Sequence, residues 1–196
     1  MNVTLLEIAQ DAVDRHGALQ KPAELAGLLG IAVGLEPRVV CEIGTAGGGL
    51  LWALACALPA GRTFVSVDLP GGPGGGAQGL EAGVLTDLLR DPGEAARVIE
   101  IHGDSKTVEL AGVPPIDLLL IDGDHSPEGV RSDWLRFSRL VLPGGLIGLH
   151  DVVEHPAGAG VFVEPFWRQL LETEPATLEL VSPTGGSWGG WGIVFR

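Results

Sequence analysis

One stretch limits what this chain can fold into more than any other: RVVCEIGTAGGGLLWALACAL, residues 38–58. Arg38–Ile43 reads as a short buried strand, because Val39, Val40 and Ile43 supply β-branched bulk. Gly44–Gly49 is a glycine-dense turn, and Leu50–Leu58 is an apolar helix closed by Pro59. A strand, a tight turn and a helix in that order belong to an α/β fold and form a pocket. Glycine lets a ligand lie against the backbone. The first N–H groups of the helix carry a partial positive charge.

Three readings of the turn stand open. It can be a bare strand-to-helix connection. It can hold a dinucleotide, whose fingerprint is GxGxxG, although Ala46 replaces the second glycine of that pattern. It can hold S-adenosylmethionine, since Glu42, two residues before Gly44, would crowd a pyrophosphate but suits an amino group.

Charge narrows the partners. The chain has 196 residues and a formal net charge of −13, which argues against nucleic acid and anionic membrane and tolerates a cationic ligand. Its 45% hydrophobic and 19% charged content is that of one folded domain with a sizeable core. Cys41 and Cys56 fall in the core strand and helix, where free thiols are expected. The start of the chain has no basic-then-apolar signal pattern, and no apolar run reaches about 18 residues. The expected location is the cytoplasm.

Apolar spacing predicts helices over Thr4–His16 and Pro22–Leu35, then strands at Arg62–Asp68, Arg97–Ile101 and Ile116–Ile121. Leu69–Gly79 is too rich in glycine and proline for a regular element. Helices are expected at Leu80–Arg90, Lys106–Ala111, after Ser126-Pro127, and at Val161–Glu172. Leu146–Leu149, Leu178–Val181 and Gly192–Phe195 complete the strands. The alternation predicts a Rossmann-like, doubly wound, mostly parallel sheet of about seven strands with helices on both faces. Residues 1–37 would pack on or cap this core, as a cover over the substrate side or a contact in a homo-oligomer, and residues 38–196 would form the ligand-binding domain. Ligands in such sheets bind beyond the carboxyl ends of the strands. That rule gathers Glu42, Asp68, Asp104, Asp122, Asp124, His125, His150 and Asp151 at one crevice.

With EIGTAGG, SVDLPGG, LLLIDGDHSPEGVRSDW and LPGGLIGLHDV in this order, the chain resembles the class I S-adenosylmethionine-dependent methyltransferases from about Arg38 to Arg196. Within them it is similar to the metal-dependent O-methyltransferases, of the catechol type and still more of the macrolide-sugar and cephalosporin-tailoring type. The resemblance implies that Gly44, Thr45, Gly47 and Gly48 run beneath the methionine part of the cofactor, with Glu42 supporting the turn or the amino group. It implies Asp68 on the ribose hydroxyls and Asp104 and Ser105 beside the adenine. It implies Asp122, His150 and Asp151 as metal ligands, for Mg²⁺ or, with the mixed nitrogen–oxygen set, Mn²⁺. His125 falls where the family keeps a basic residue near the acceptor oxygen and would take its proton, with Asp122 as its catalytic companion. Leu50 and His125 replace a serine and a lysine of the catechol type, which favours the sugar- or antibiotic-tailoring branch. The implied activity is methyl transfer to a hydroxyl of a small molecule. The alternatives are an NAD(P)-dependent oxidoreductase, a non-catalytic cofactor-binding protein, and a hydroxylase-like relative. His16, His102 and His155 read as non-catalytic, and Trp188 and Trp191 as packing or as walls of the acceptor pocket.

Overall fold

The computed structural model describes residues 3–71, 83–92, 96–183 and 185–196. The strands are β1 (Val39–Ile43), β2 (Thr63–Asp68), β3 (Arg97–His102), β4 (Ile116–Ile121), β5 (Val141–His150), β6 (Thr177–Leu180) and β7 (Trp191–Phe195). The helices are α1 (Leu5–His16), α2 (Pro22–Leu35), α3 (Gly49–Ala57), α4 (Val84–Leu88), α5 (Pro127–Phe137) and α6 (Val163–Thr173). The seven strands form one sheet in the order β3-β2-β1-β4-β5-β7-β6. Strands β1 to β5 pair in parallel, and β7 runs antiparallel between β5 and β6. The expected doubly wound, mostly parallel sheet is the fold.

Strand period becomes layers. In β4, Leu118 and Leu120 join a core with residues of α1, α2 and α3, while Leu119 and Ile121 join a second core with residues of α5 and α6. An uninterrupted apolar run is what a strand covered on both faces requires. Helix ends follow side-chain chemistry. Thr4 and Glu7 close a capping box at the start of α1, and Ser126 accepts the Gly129 N–H at 3.0 Å at the start of α5.

Two expectations fail locally. Residues 106–111 form turns and no helix. There Asp104 accepts the Lys106 N–H at 2.9 Å as an N-cap would, and its carbonyl accepts from Thr107 and Val108 to close a single turn. Strand β5 starts five residues earlier than expected, through Pro143-Gly144-Gly145, and its register against β4 breaks between Ile116 and Leu118. Proline is tolerated there because the strand's beginning is exposed and irregular. Residues 72–79 of the glycine-rich loop, and the start of the helix expected over Leu80–Arg90, lie outside the described residues.

Two contacts position the site. The sheet's order reverses between β1 and β4, which opens a crevice at their carboxyl ends. Gly44 leaves β1 at φ +84°, and a Cβ on it would lie 2.2 Å from the Asp122 carbonyl oxygen that leaves β4. Only glycine lets the two exits pass this closely. The turn joining α1 to α2 presses on the glycine turn: a Cβ on Gly49 would meet the Ala18 nitrogen at 2.3 Å. Ala9, Ala12, Leu25 and Leu28 share their core with Leu50, Leu51 and Leu54, so both N-terminal helices are built into the same hydrophobic layer as α3.

Candidate active site

All eight ionisable groups expected at the sheet edge line one of two adjoining cavities. The larger, about 600 Å³, takes Asp68, Asp104 and Asp124 from the ends of β2, β3 and β4. The smaller, about 160 Å³, takes Glu42, His150 and Asp151. Gly44, Asp122, Gly123 and His125 line both.

Asp122 is the hub. Its Oδ1 meets His150 Nδ1 at 3.0 Å and His125 Nε2 at 3.2 Å, and its Oδ2 accepts from Gln20 Nε2 at 2.6 Å. Burial would raise its pKa, but the charge of His150 and the hydrogen bonds of both imidazoles overcome this and hold it below the usual carboxylate range. Burial works against charge on both histidines too. The hydrogen bond and charge of Asp122, with the charge of Asp151, prevail and raise both above their ordinary value. His125 spans the two aspartates: Nε2 faces Asp122, and Nδ1 lies 3.6 Å from Asp151 Oδ2. Asp151 also accepts the Gly189 N–H at 2.9 Å and lies 3.3 Å from His155 Nε2. It adopts φ +62°, a conformation that costs a non-glycine residue roughly 1–3 kcal/mol and concentrates at functional sites.

The other acids divide by environment. Glu42 is 1% exposed, and its Oε2 has no hydrogen-bond partner. Burial, then the charges of Asp122 and Asp68, push its pKa well above the ordinary value. Thr45, whose hydroxyl accepts from Ser66 Oγ at 2.7 Å, hydrogen-bonds Glu42. Asp68 accepts the N–H groups of Ala46 and Leu69, each at 2.7 Å, which ties the end of β2 to the glycine turn. Asp124 accepts from Ser126 N at 3.0 Å and Lys106 Nζ at 2.7 Å. The Lys106 hydrogen bond leads in lowering its pKa to about 2. Asp104 and Ser105 line the larger cavity as expected.

The donor set fits a divalent cation. One ligand atom each from Asp122, His125 and Asp151 lies within 4.8 Å of the others. His125, expected as the base, thus stands in the ligand group, while His150, expected as a ligand, directs Nδ1 at Asp122 and lies against Trp191, ring centroids 4.7 Å apart and planes tilted by 48°. The cavities also fit an elongated cationic cofactor: they join at Gly44, and an unpartnered carboxylate oxygen waits in the smaller one.

Gln20, His155 and Trp188 complete the smaller cavity. No motif marked Gln20, and only its place in the tertiary structure reveals it. Trp188 is a cavity wall with Lys21 Nζ 4.8 Å from its ring centroid, whereas Trp191 is fully buried. His16 stacks on Trp52 and His102 pairs with Glu100, neither of them lining either cavity.

Comparison with known proteins gives a concordant result. Residues 41–152 match the family described as a methyltransferase domain. Among solved structures, the chain is similar to an O-methyltransferase of Bacillus cereus in complex with SAH, with 21% identity, 100% of this chain and 92% of that one covered, and a TM-score of 0.65. It is similar to TomG, an O-methyltransferase of Streptomyces achromogenes involved in tomaymycin synthesis and solved with SAM, at 21% identity, 100% and 92% coverage and a TM-score of 0.62. A SAH-bound methyltransferase of Podospora anserina aligns at 16% identity, 100% and 89% coverage and a TM-score of 0.61. At these identities the likeness establishes the fold.

Proposed function

The chain belongs to the methyltransferase-domain family, matched over residues 41–152, and from that premise we propose that it transfers a methyl group from S-adenosylmethionine to a hydroxyl of a small molecule. The observation that carries the reading is the junction of the two cavities at Asp122, where an imidazole and a second carboxylate stand within ligand distance. In this reading the nucleoside lies in the larger cavity, with Asp68 on the ribose and Asp104 and Ser105 beside the base. The amino-acid end runs along Gly44, Thr45, Gly47 and Gly48 toward Glu42.

When bound, the cofactor supplies an electrophilic methyl group, and a divalent cation supplies Lewis acidity that lowers the acceptor hydroxyl's pKa. Asp122 and Asp151 would hold the cation, with His150 bracing Asp122 through the 3.0 Å hydrogen bond. His125 keeps its Nε2 proton on Asp122, which fixes the tautomer and leaves Nδ1 to take the hydroxyl proton. General base catalysis of this kind is worth about 10²–10⁴-fold. Donor and acceptor held in line supply much of the remainder.

The acidic surface and the free thiols Cys41 and Cys56 accord with a cytoplasmic enzyme that does not engage nucleic acid. No helix of the described residues is long and apolar enough to cross a membrane. The oxidoreductase alternative loses its ground with family membership. The test is ligand-dependent melting, because a ligand that binds the folded state raises the midpoint. S-adenosylhomocysteine is expected to raise it and NAD to leave it unchanged; the reverse would sink the proposal. Chelation with EDTA is expected to stop turnover, and Mg²⁺ or Mn²⁺ to restore it.

A further inference from the structure

We propose that Gln20 is a positioning residue that couples recognition of the cofactor's primary ammonium group to the placement of Asp122; the inference rests on the methyltransferase reading above. Gln20 sits in the turn between α1 and α2 and is 5% exposed. Its amide is half used. Nε2 donates to Asp122 Oδ2 at 2.6 Å, while Oε1 is buried without a partner. A buried acceptor left unpaired is costly, so such an atom signals a missing donor.

Two more unpartnered buried atoms line the same small cavity, Glu42 Oε2 and His150 Nε2. His150 directs its Nδ1 at Asp122, so it braces the same carboxylate that Gln20 holds. A cavity lined by Gln20 and Glu42, each with an unpaired buried oxygen, and by the Asp122 carboxylate suits a cation rich in N–H donors. A primary ammonium carries three. The glycine turn identifies its owner. Thr45, Ala46 and Gly49 line this cavity with Gln20, and the Gln20 turn lies against that loop, with a Cβ on Gly47 only 3.4 Å from the Gly17 Cα. The amide holds Asp122 with its donor end, and its acceptor end is left unpaired in a residue that lines the cavity. Loading the ammonium therefore holds the amide, and the amide holds Asp122 Oδ2.

The experiment is calorimetric titration of the full chain with S-adenosylhomocysteine and with 5′-methylthioadenosine, which shares the nucleoside and thioether but lacks the amino-acid tail. Gln20→Met, similar in shape and without the amide, is expected to weaken S-adenosylhomocysteine by about 10- to 100-fold, the worth of one hydrogen bond to a charged group. Its affinity for 5′-methylthioadenosine should match the parent's. Gln20→Glu, which restores an oxygen toward the ligand but removes the N–H held by Asp122, is expected to keep most of the S-adenosylhomocysteine affinity while kcat falls. Equal weakening of both ligands by Gln20→Met would reveal a merely structural role and overturn the inference, as would no weakening of either. Should Gln20→Met not fold, loss of S-adenosylhomocysteine affinity or retention of full kcat in Gln20→Glu would overturn it too. Failure of the parent protein to bind either compound would overturn the methyltransferase reading first, and this inference with it.

Discussion

The two cavities are made in different ways. The larger is built mainly from residues at strand ends and in the turns that follow them: Asp68 closes β2, Asp104 follows β3, and Asp122 and Asp124 follow β4. The smaller is assembled from distant pieces: the turn before α2, the glycine turn, the end of β5, and the loop between β6 and β7. That loop is held by the start of α2. Lys21 Nζ donates to the Trp188 carbonyl at 2.7 Å, and Glu24 accepts the N–H groups of Ser182 and Gly190, each at 2.8 Å. Gly189 is tied to Asp151 in turn. The contrast separates two jobs. A ligand shared by many proteins can be held by strand-end residues that any sheet of this order supplies. In the proposed reading the cofactor's amino-acid end and the acceptor both meet parts added around the sheet, which can vary without disturbing it.

If that division holds, substitutions in the two cavities should split binding from turnover. The largest effect is expected at their junction. His125→Ala should lower kcat by about 10²–10⁴-fold while S-adenosylhomocysteine affinity stays near the parent value. The base must be neutral to accept a proton, and its pKa is raised above 6.5, so the acid limb of the parent's kcat–pH profile should lie above pH 6.5 and vanish in the variant. A profile flat from pH 6 to 9 in the parent would count against the base role.

The next effect concerns stability. Asp133 on α5 is 0% exposed, and burial, working against the hydrogen bond of Ser105, pushes its pKa up to about 6. A raised carboxyl pKa means that the folded state binds its proton more tightly than the unfolded state. Stability is therefore present below pH 3.8 and lost as pH rises through about 6. The loss amounts to about 3 kcal/mol at most. Asp133→Asn should raise the denaturation midpoint at pH 8 and change it little at pH 4. Equal stabilisation at both would assign the effect to packing. Because a Cβ on Gly123 would lie 3.3 Å from Asp133 Oδ2, this buried carboxyl supports the turn that both cavities share.

Asp68→Ala tests the larger cavity, which Asp68 lines. Affinity for S-adenosylhomocysteine should fall about 10- to 100-fold with the acceptor KM unchanged. Should the acceptor KM rise in parallel, the cavities are not independent. The smallest effect is expected at Trp188, which is 43% exposed. Trp188→Ala should raise the acceptor KM by about 3- to 10-fold, the worth of roughly one aromatic contact, and leave cofactor affinity intact.

Much of the molecule is legible in the residues because local physics decides it. The run IDLLLI can satisfy its apolar side chains only as a strand covered on both faces. Ser126 and Pro127 start α5 by satisfying or lacking the N–H groups that a first turn leaves unpaired. Gly44 follows from the same reasoning, as does the set of acids at strand ends. The helix expected over Lys106–Ala111 stops at a single turn, in which the Asp104 carbonyl accepts the N–H groups of Thr107 and Val108.

What a chain of these residues determines by itself is the sheet, its two apolar layers and the edge where its charges gather, for periodicity and turn chemistry act over a few residues at a time. Which nitrogen faces which oxygen is a different matter. The 2.6 Å bond between Gln20 and Asp122 joins positions 102 apart in the chain, and no spacing rule relates them. Only the packing of α1 and α2 against the glycine turn brought that amide to the aspartate, because cores close around volume, and volume is known only when every layer is in place.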